Sequence, residues 1–220
     1  MKQENVLKES LGNFLRNAYD LLVMNWLWLL CSLPVVTVGP ATVAMYTVIQ
    51  KLIREEPVSL VKDFFKAFKE EFRKSVAMGF LVGIPTLVAV VDAWFAVQQT
   101  GAMQTLFLVV AFLVGLVALT LLGHGFAVIA RFRNSLKKHI GNAFSLVFVA
   151  PGKTLQIWCV LLFPVLLALC LPVMAVKALG VVYIMYGISL PVFISSRLHR
   201  EIFRRAGAEE DHFVPPTQDT

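Results

Sequence analysis

The chain has 220 residues, of which 58% are hydrophobic and 15% charged, with a formal net charge of +6. A soluble domain carries nearer a quarter of charged residues, and a chain of this length has too little interior to hide long uncharged blocks. Leu21–Gln50 contains no Asp, Glu, Lys or Arg, Val76–Ala130 only Asp92, and Thr154–Ser196 only Lys177; this distribution argues against a soluble enzyme and for membrane helices.

The N-terminal segment mixes charged and apolar residues, with no short apolar core ahead of a small-residue cleavage site, so no removable signal is expected. The first uncharged block is too long for one simple span and short for two. The preferred reading is a broken hairpin: a helix over about 15–36, a turn at "TVGP", and a short or re-entrant helix over 40–55. Pro34 interrupts the first helix, Gly39 is expected to take the turn conformation, and Pro40 suits a first helical turn, where its missing N–H costs nothing. The side of the N-terminus stays open. Trp26 and Trp28 sit deep for interface anchors and are read as packing residues.

The segment 59–74 reads as an interfacial helix. At about 100° per residue, Leu60, Val61, Phe64, Phe65, Phe68 and Phe72 share one side; Lys62, Lys66, Lys69 and Arg73 take the other. Ser59 is the expected N-cap. The Phe side suits the lipid boundary or a docking partner, and the lysines suit anionic headgroups. Full crossings are expected over 76–97, 105–130, 154–176 and 180–198. Pro85, Pro164, Pro172 and Pro191 are tolerable there, because neighbouring helices satisfy the freed backbone groups. Gly141–Asn142 and Pro151–Gly152 read as turns around "AFSLVFV". The expected architecture is an all-α polytopic membrane protein. It is one domain over 1–205, a bundle of five to six transmembrane helices, with a loose tail over 206–220.

Basic residues crowd alternate connections: Lys51–Lys74, Arg131–Lys138 and Arg197–Arg205. The intervening connections are nearly empty, so the basic ends and the C-terminus are expected in the cytoplasm of a cell membrane. The positive charge therefore points to phospholipid and not to nucleic acid.

Two ionisable residues fall inside expected spans. Asp92 lies late in its span, as an outer-interface residue or a substrate or ion ligand. His124, between Gly123 and Gly125, is expected to make an inter-helix hydrogen bond where the glycines permit close approach. Cys31, Cys159 and Cys170 lie in apolar segments without metal-ligand spacing, so no metal or other cofactor is expected. No HExxH, GxSxG or Walker A pattern occurs, and no catalytic residue is expected. "LPV" recurs at Leu33, Leu171 and Leu190, a weak hint of internal symmetry.

The chain resembles the YesL-like family, small multi-pass membrane proteins of Gram-positive bacteria. The residues carrying the likeness are "LPVVTVGPAT" at Leu33–Thr42 and "DFFKAFKEEF" at Asp63–Phe72. The resemblance implies a setting beside carbohydrate-uptake systems and assigns no catalytic residue. Three roles are then in view. One is a non-catalytic accessory subunit of an ABC-type oligosaccharide importer, touching its permease or ATPase. The others are a self-sufficient small transporter or channel, and a membrane sensor or regulator of uptake.

Overall fold

The computed structural model describes residues 2–170, 180 and 183–207, with side chains described from Leu15 to Leu167 and again at Gly180 and over 183–207. Among the described residues there is no strand, and the chain is an α-helical polytopic membrane protein. The helices are α1 (Lys2–Cys31), α2 (Val38–Ile53), α3 (Leu60–Glu70), α4 (Phe72–Ala96), α5 (Ala102–Thr120), α6 (Phe126–Arg131), α7 (Leu136–Val149), α8 (Pro151–Cys170) and α9 (Ser189–Arg205). A single-turn 3-10 helix (Val35–Thr37) precedes α2, and a π-helical turn (Leu121–Gly125) joins α5 to α6.

Three described stretches are long and apolar enough to cross a bilayer: Val35–Ile53, Phe72–Ala96 and Ala102–Arg131. The pair Leu136–Val149 and Pro151–Leu167, bent by 110°, makes a fourth at most. The expected crossings over 154–176 and 180–198 run in part through residues outside those described, as does all but the start of the 206–220 tail.

The N-terminal break lies earlier than the sequence suggested. α1 ends at Cys31, not Val36, because Pro34 drives Leu33 out of the helical region. Pro34 itself is extended, at φ −77° and ψ 124°. α2 then begins at Val38, so Gly39 lies within its first turn and not in the turn before it, while Pro40 stands in the first turn as expected. Pro40 is tolerated there because first-turn N–H groups have no intrahelical acceptor. The 59–74 segment also divides. α3 stops at Glu70, Glu71 makes the corner, and Phe72 and Arg73 open α4. The Ser59 hydroxyl makes no cap bond; instead the Ser59 N–H donates to Asp63 Oδ2 at 3.2 Å. Gly141 and Asn142 lie inside a continuous α7, so the turn expected there is absent, while Pro151 does start a helix.

The core is built around α2. Ala41, Val43, Ala44, Met45, Val48 and Ile49 are fully buried, and α1, α3, α4, α6 and α9 all pack on this helix. Lipid tails are as apolar as leucine, so packing depends on close approach rather than on escape from water. Gly39 supplies that approach. A methyl group built on it would overlap the Ser75 carbonyl oxygen, and the Gly79 Cα lies 3.5 Å from the same point. At the other end of α2, Gln50 Nε2 donates to the Ala127 carbonyl of α6 at 3.1 Å. α2 is thus clamped across the first turns of α4 and the last turns of the α5–α6 helix.

Beyond that clamp, α4 and α5 stand apart as a hairpin. The buried residues of α4 are Ser75, Met78, Val82 and Ala96; those of α5 are Ala118 and Thr120. The hairpin closes on itself through Phe95 and Phe107, stacked with ring centroids 6.2 Å apart. Asn25 of α1 secures the start of α9. Its Oδ1 accepts from the Ile188 and Ser189 N–H groups at 3.0 and 3.1 Å, and its Nδ2 donates to the Ile184 carbonyl at 2.7 Å. Three backbone groups at a helix break are thereby satisfied away from water.

A candidate site: a buried histidine pair near two cavities

The π-helical turn rotates His124 into the interior, where it is fully buried. Such single-turn insertions recur at functional sites. Gly123 and Gly125 make room for it: a methyl on Gly125 would press on Met78 Sδ at 2.9 Å, and one on Gly123 on the Trp158 ring at 3.4 Å. The expected inter-helix bond is present, and there are two. His124 Nδ1 lies 3.0 Å from His199 Nε2 of α9, and His124 Nε2 lies 3.2 Å from Thr154 Oγ1 of α8.

The partners order the protons along this chain. His199 Nδ1 faces the Ser195 carbonyl at 2.7 Å, and a carbonyl only accepts, so that nitrogen carries the hydrogen. With neutral rings, His199 Nε2 is then an acceptor and His124 Nδ1–H is the donor. The Thr154 hydroxyl completes the row by donating to His124 Nε2. Tyr46 of α2 meets the His199 ring edge-on at 6.2 Å, and Phe203 lies against it at 5.6 Å. Among the described residues no three His, Cys, Asp or Glu side chains gather as metal ligands, so the pair has no third ligand of those types.

Two cavities lie near this row, and His124, His199 and Thr154 line neither. One, of about 1510 Å³, opens at the basic end between α1, α2, α6 and α9; Gln50, Phe193 and Ser196 lie on its floor. The other, of about 570 Å³, is apolar and is lined by Tyr46, Gly79, Leu122, Phe126, Pro164 and Val192, among others. Tyr46 and Gln50 are one turn apart on α2; Val192 and Ser196 are one turn apart on α9. A layer about one helical turn thick therefore separates the cavities, and His199 lies one turn further along α9.

The residues singled out in the sequence do not converge here, except His124. Asp92 is half-buried near the far end of α4, lines neither cavity, and has no hydrogen-bond or ion-pair partner among the described residues. Phe64 is fully buried against the core, which removes it from any lipid-facing or docking surface. Leu60 and Phe68 are half-buried against the same core, Phe72 is half-buried beside Phe68, and Phe65 is exposed. Lys62, Lys66, Lys69 and Arg73 all remain exposed. Pro34 sits at the true helix break, and Gly39 and Pro40 serve the α2 clamp. Sequence reasoning missed His199 and Thr154. His199 lies in a charged, helical stretch, "SSRLHREIFRR", that reads as a solvated extension, and nothing local marks its inward face.

Residues 21–93 match the model of a family described as "Protein of unknown function, DUF624". That segment holds the end of α1, all of α2 and α3 and nearly all of α4, so the match concerns the clamp rather than the histidine pair. The curated protein "Uncharacterized protein YesL" of Bacillus subtilis (strain 168) is 29% identical over 153 residues, 66% of this chain and 70% of its own length. No solved structure matches. The family match and the curated relative both support the resemblance of this chain to the YesL-like family.

Proposed function

We propose that the chain is a non-catalytic membrane subunit that associates with the permease of an ABC-type oligosaccharide importer, its basic end facing the cytoplasm. The observation that carries this reading is the α4–α5 hairpin. Toward its tip the described contacts run mainly between the two helices themselves, leaving Val90, Trp94, Leu106, Phe112 and Leu113 exposed along both. Two long apolar helices held at one end only are suited to lie against the helices of another membrane protein. The sugar setting comes from the YesL-like resemblance, and the basic end from the distribution of lysine and arginine. Purification at native expression in a mild detergent, followed by mass spectrometry of the complex, is expected to find permease subunits. Recovery of the chain alone would end this reading.

The paired cavities favour a second reading, a small transporter in its own right. A thin layer of Tyr46, Gln50, Val192 and Ser196 between two spaces is the geometry a moving solute would need. Purified protein in liposomes would then release a trapped sugar faster than empty liposomes, and Gln50→Ala would alter that rate. Inert proteoliposomes across the sugars used by the host would exclude it.

A further inference from the structure

The large cleft has a charge pattern that neither reading uses. Arg197, Arg200 and Arg204 follow one another at three and four residues along α9, which places them on one face, and all three line the cleft together with Arg131 from the end of α6. Among the described residues no carboxylate lies within ion-pair distance of any of these four. Of the carboxylates that line the cleft, Glu56 pairs with Arg54 at 2.9 Å and Glu201 with Lys153 at 2.7 Å, while Asp20, one turn from Arg16 on α1, makes no ion pair among the described residues. Glu55, the remaining acid, is exposed at the rim.

Two of the four guanidinium groups are held in place by uncharged partners. The Arg200 Nη1 donates to the Ile53 carbonyl at 3.2 Å, and Arg197 lies 4.6 Å over the Phe193 ring. Each keeps further N–H donors for a ligand. Convergent like charges repel unless a counter-charge joins them, and the planar guanidinium fork matches the oxygens of phosphate or carboxylate. Phe193 and Phe203 add apolar wall beside the arginines, so the cleft can hold an organic body as well as its anionic group.

We propose that this cleft is a binding site for an oxyanion-bearing organic molecule, its phosphate or carboxylate held by Arg131, Arg197, Arg200 and Arg204. The same chemistry has two sources: the headgroup of an acidic phospholipid entering from the bilayer, or a small organic phosphate entering from water. The inference stands apart from the subunit role, since it rests on this chain alone.

The full-length protein in nanodiscs provides the test. One arm offers phosphatidylglycerol mixed with phosphatidylcholine and counts retained lipids by native mass spectrometry. The other offers sn-glycerol 3-phosphate in phosphatidylcholine-only nanodiscs and measures bound ligand by equilibrium dialysis. The variants are Arg204→Gln, whose exposed side chain makes no hydrogen bond or ion pair with another described residue and so spares the fold, and the triple Arg197→Gln/Arg200→Gln/Arg204→Gln. The control is Lys62→Gln/Lys66→Gln/Lys69→Gln, which removes equal charge outside the cleft. Wild type and control are expected to bind at least one probe equally, with about a threefold loss in Arg204→Gln and about a tenfold loss in the triple. Loss confined to the phosphatidylglycerol arm identifies the lipid, and loss in the glycerol phosphate arm identifies the soluble source. Binding of neither probe, or equal losses in the triple and the lysine control, would overturn the proposal.

Discussion

At the scale of single residues, two adjacent phenylalanines separate packing from surface. Phe64 is fully buried and Phe65 is 40% exposed, though both stand on the apolar side of α3. Phe64→Ala would leave a cavity in the core around α2, with an expected loss of about 3–5 kcal/mol. Phe65→Ala removes an exposed ring and is expected to stay within about 0.5 kcal/mol of wild type. Unfolding of the two variants in one detergent reads the difference directly; equal effects would show that the whole Phe side is buried or the whole side free. Gly39 gives a second contrast. Gly39→Ala forces a methyl into the Ser75 carbonyl, and overpacking of this kind costs about 1–3 kcal/mol or more. Gly141→Ala meets open space inside α7 and is expected to stabilise by about 0.5–1 kcal/mol. A Gly39→Ala protein with the same unfolding midpoint as Gly141→Ala would refute the clamp.

At the scale of elements, the histidine row ties the α5–α6 break to α8 and α9, and its members should act as a unit. His124→Ala strands His199 Nε2 and the Thr154 hydroxyl, while His199→Ala strands His124 Nδ1. A double-mutant cycle on the pair is expected to return a coupling of about 0.5–2 kcal/mol, the range for hydrogen bonds between membrane helices. Strict additivity would mean the rings merely lie side by side. Nearer the basic end, α8 and α9 are joined by Lys153 and Glu201. The hydrogen bond from Lys153, and then its charge, hold the Glu201 carboxyl below its usual range. A depressed carboxylate stabilises the fold above its unfolded value and loses that contribution as pH falls through its folded value. Stability of the wild type should therefore fall slightly more than that of Glu201→Gln between about pH 5 and pH 3. Parallel profiles would remove this tie from the account.

These elements also show what the sequence made legible. Uncharged runs marked α4 and the α5–α6 helix within a few residues, because lipid demands long apolar helices whatever their neighbours. Ser59–Ser75 announced an amphipathic helix, yet not the corner at Glu71, since helix propensity continues smoothly across it. Pro40 was legible as a first-turn residue, whereas Gly39 suggested a turn, because its local chemistry is the same whether it ends a helix or lets one lie against another; only the position of Ser75 decides. The histidine row was half visible. His124 stood out in an uncharged span, whereas His199 was hidden among arginines, and its burial depends on α2 passing Tyr46 across it. Long-range pairing of this kind leaves no periodic trace.

At the scale of the whole molecule, the arrangement of charge bears on orientation. The cleft and α3 bring Arg16, Arg54, Arg131, Arg200 and the exposed lysines of α3 to one end. The α4 helix then runs 25 residues away from it, roughly 37 Å, which exceeds the hydrocarbon thickness of about 30 Å. The α4–α5 connection at its far end, around Gln99, carries no charged residue. If lysine and arginine set the orientation, that connection faces outward and the cleft faces the cytoplasm. The check is single cysteines in a chain whose Cys31, Cys159 and Cys170 have been replaced by alanine. With an impermeant maleimide on intact cells, Gln99→Cys should label, and Lys66→Cys only after the membrane is opened. Lys66 is exposed on α3 and Gln99 sits at the hairpin tip, so reactivity reports the side of the membrane for both. The reverse pattern would turn the molecule over, placing the arginine cleft outside and removing contact with an intracellular partner. Labelling of both from outside would mean that the α4 helix does not cross at all.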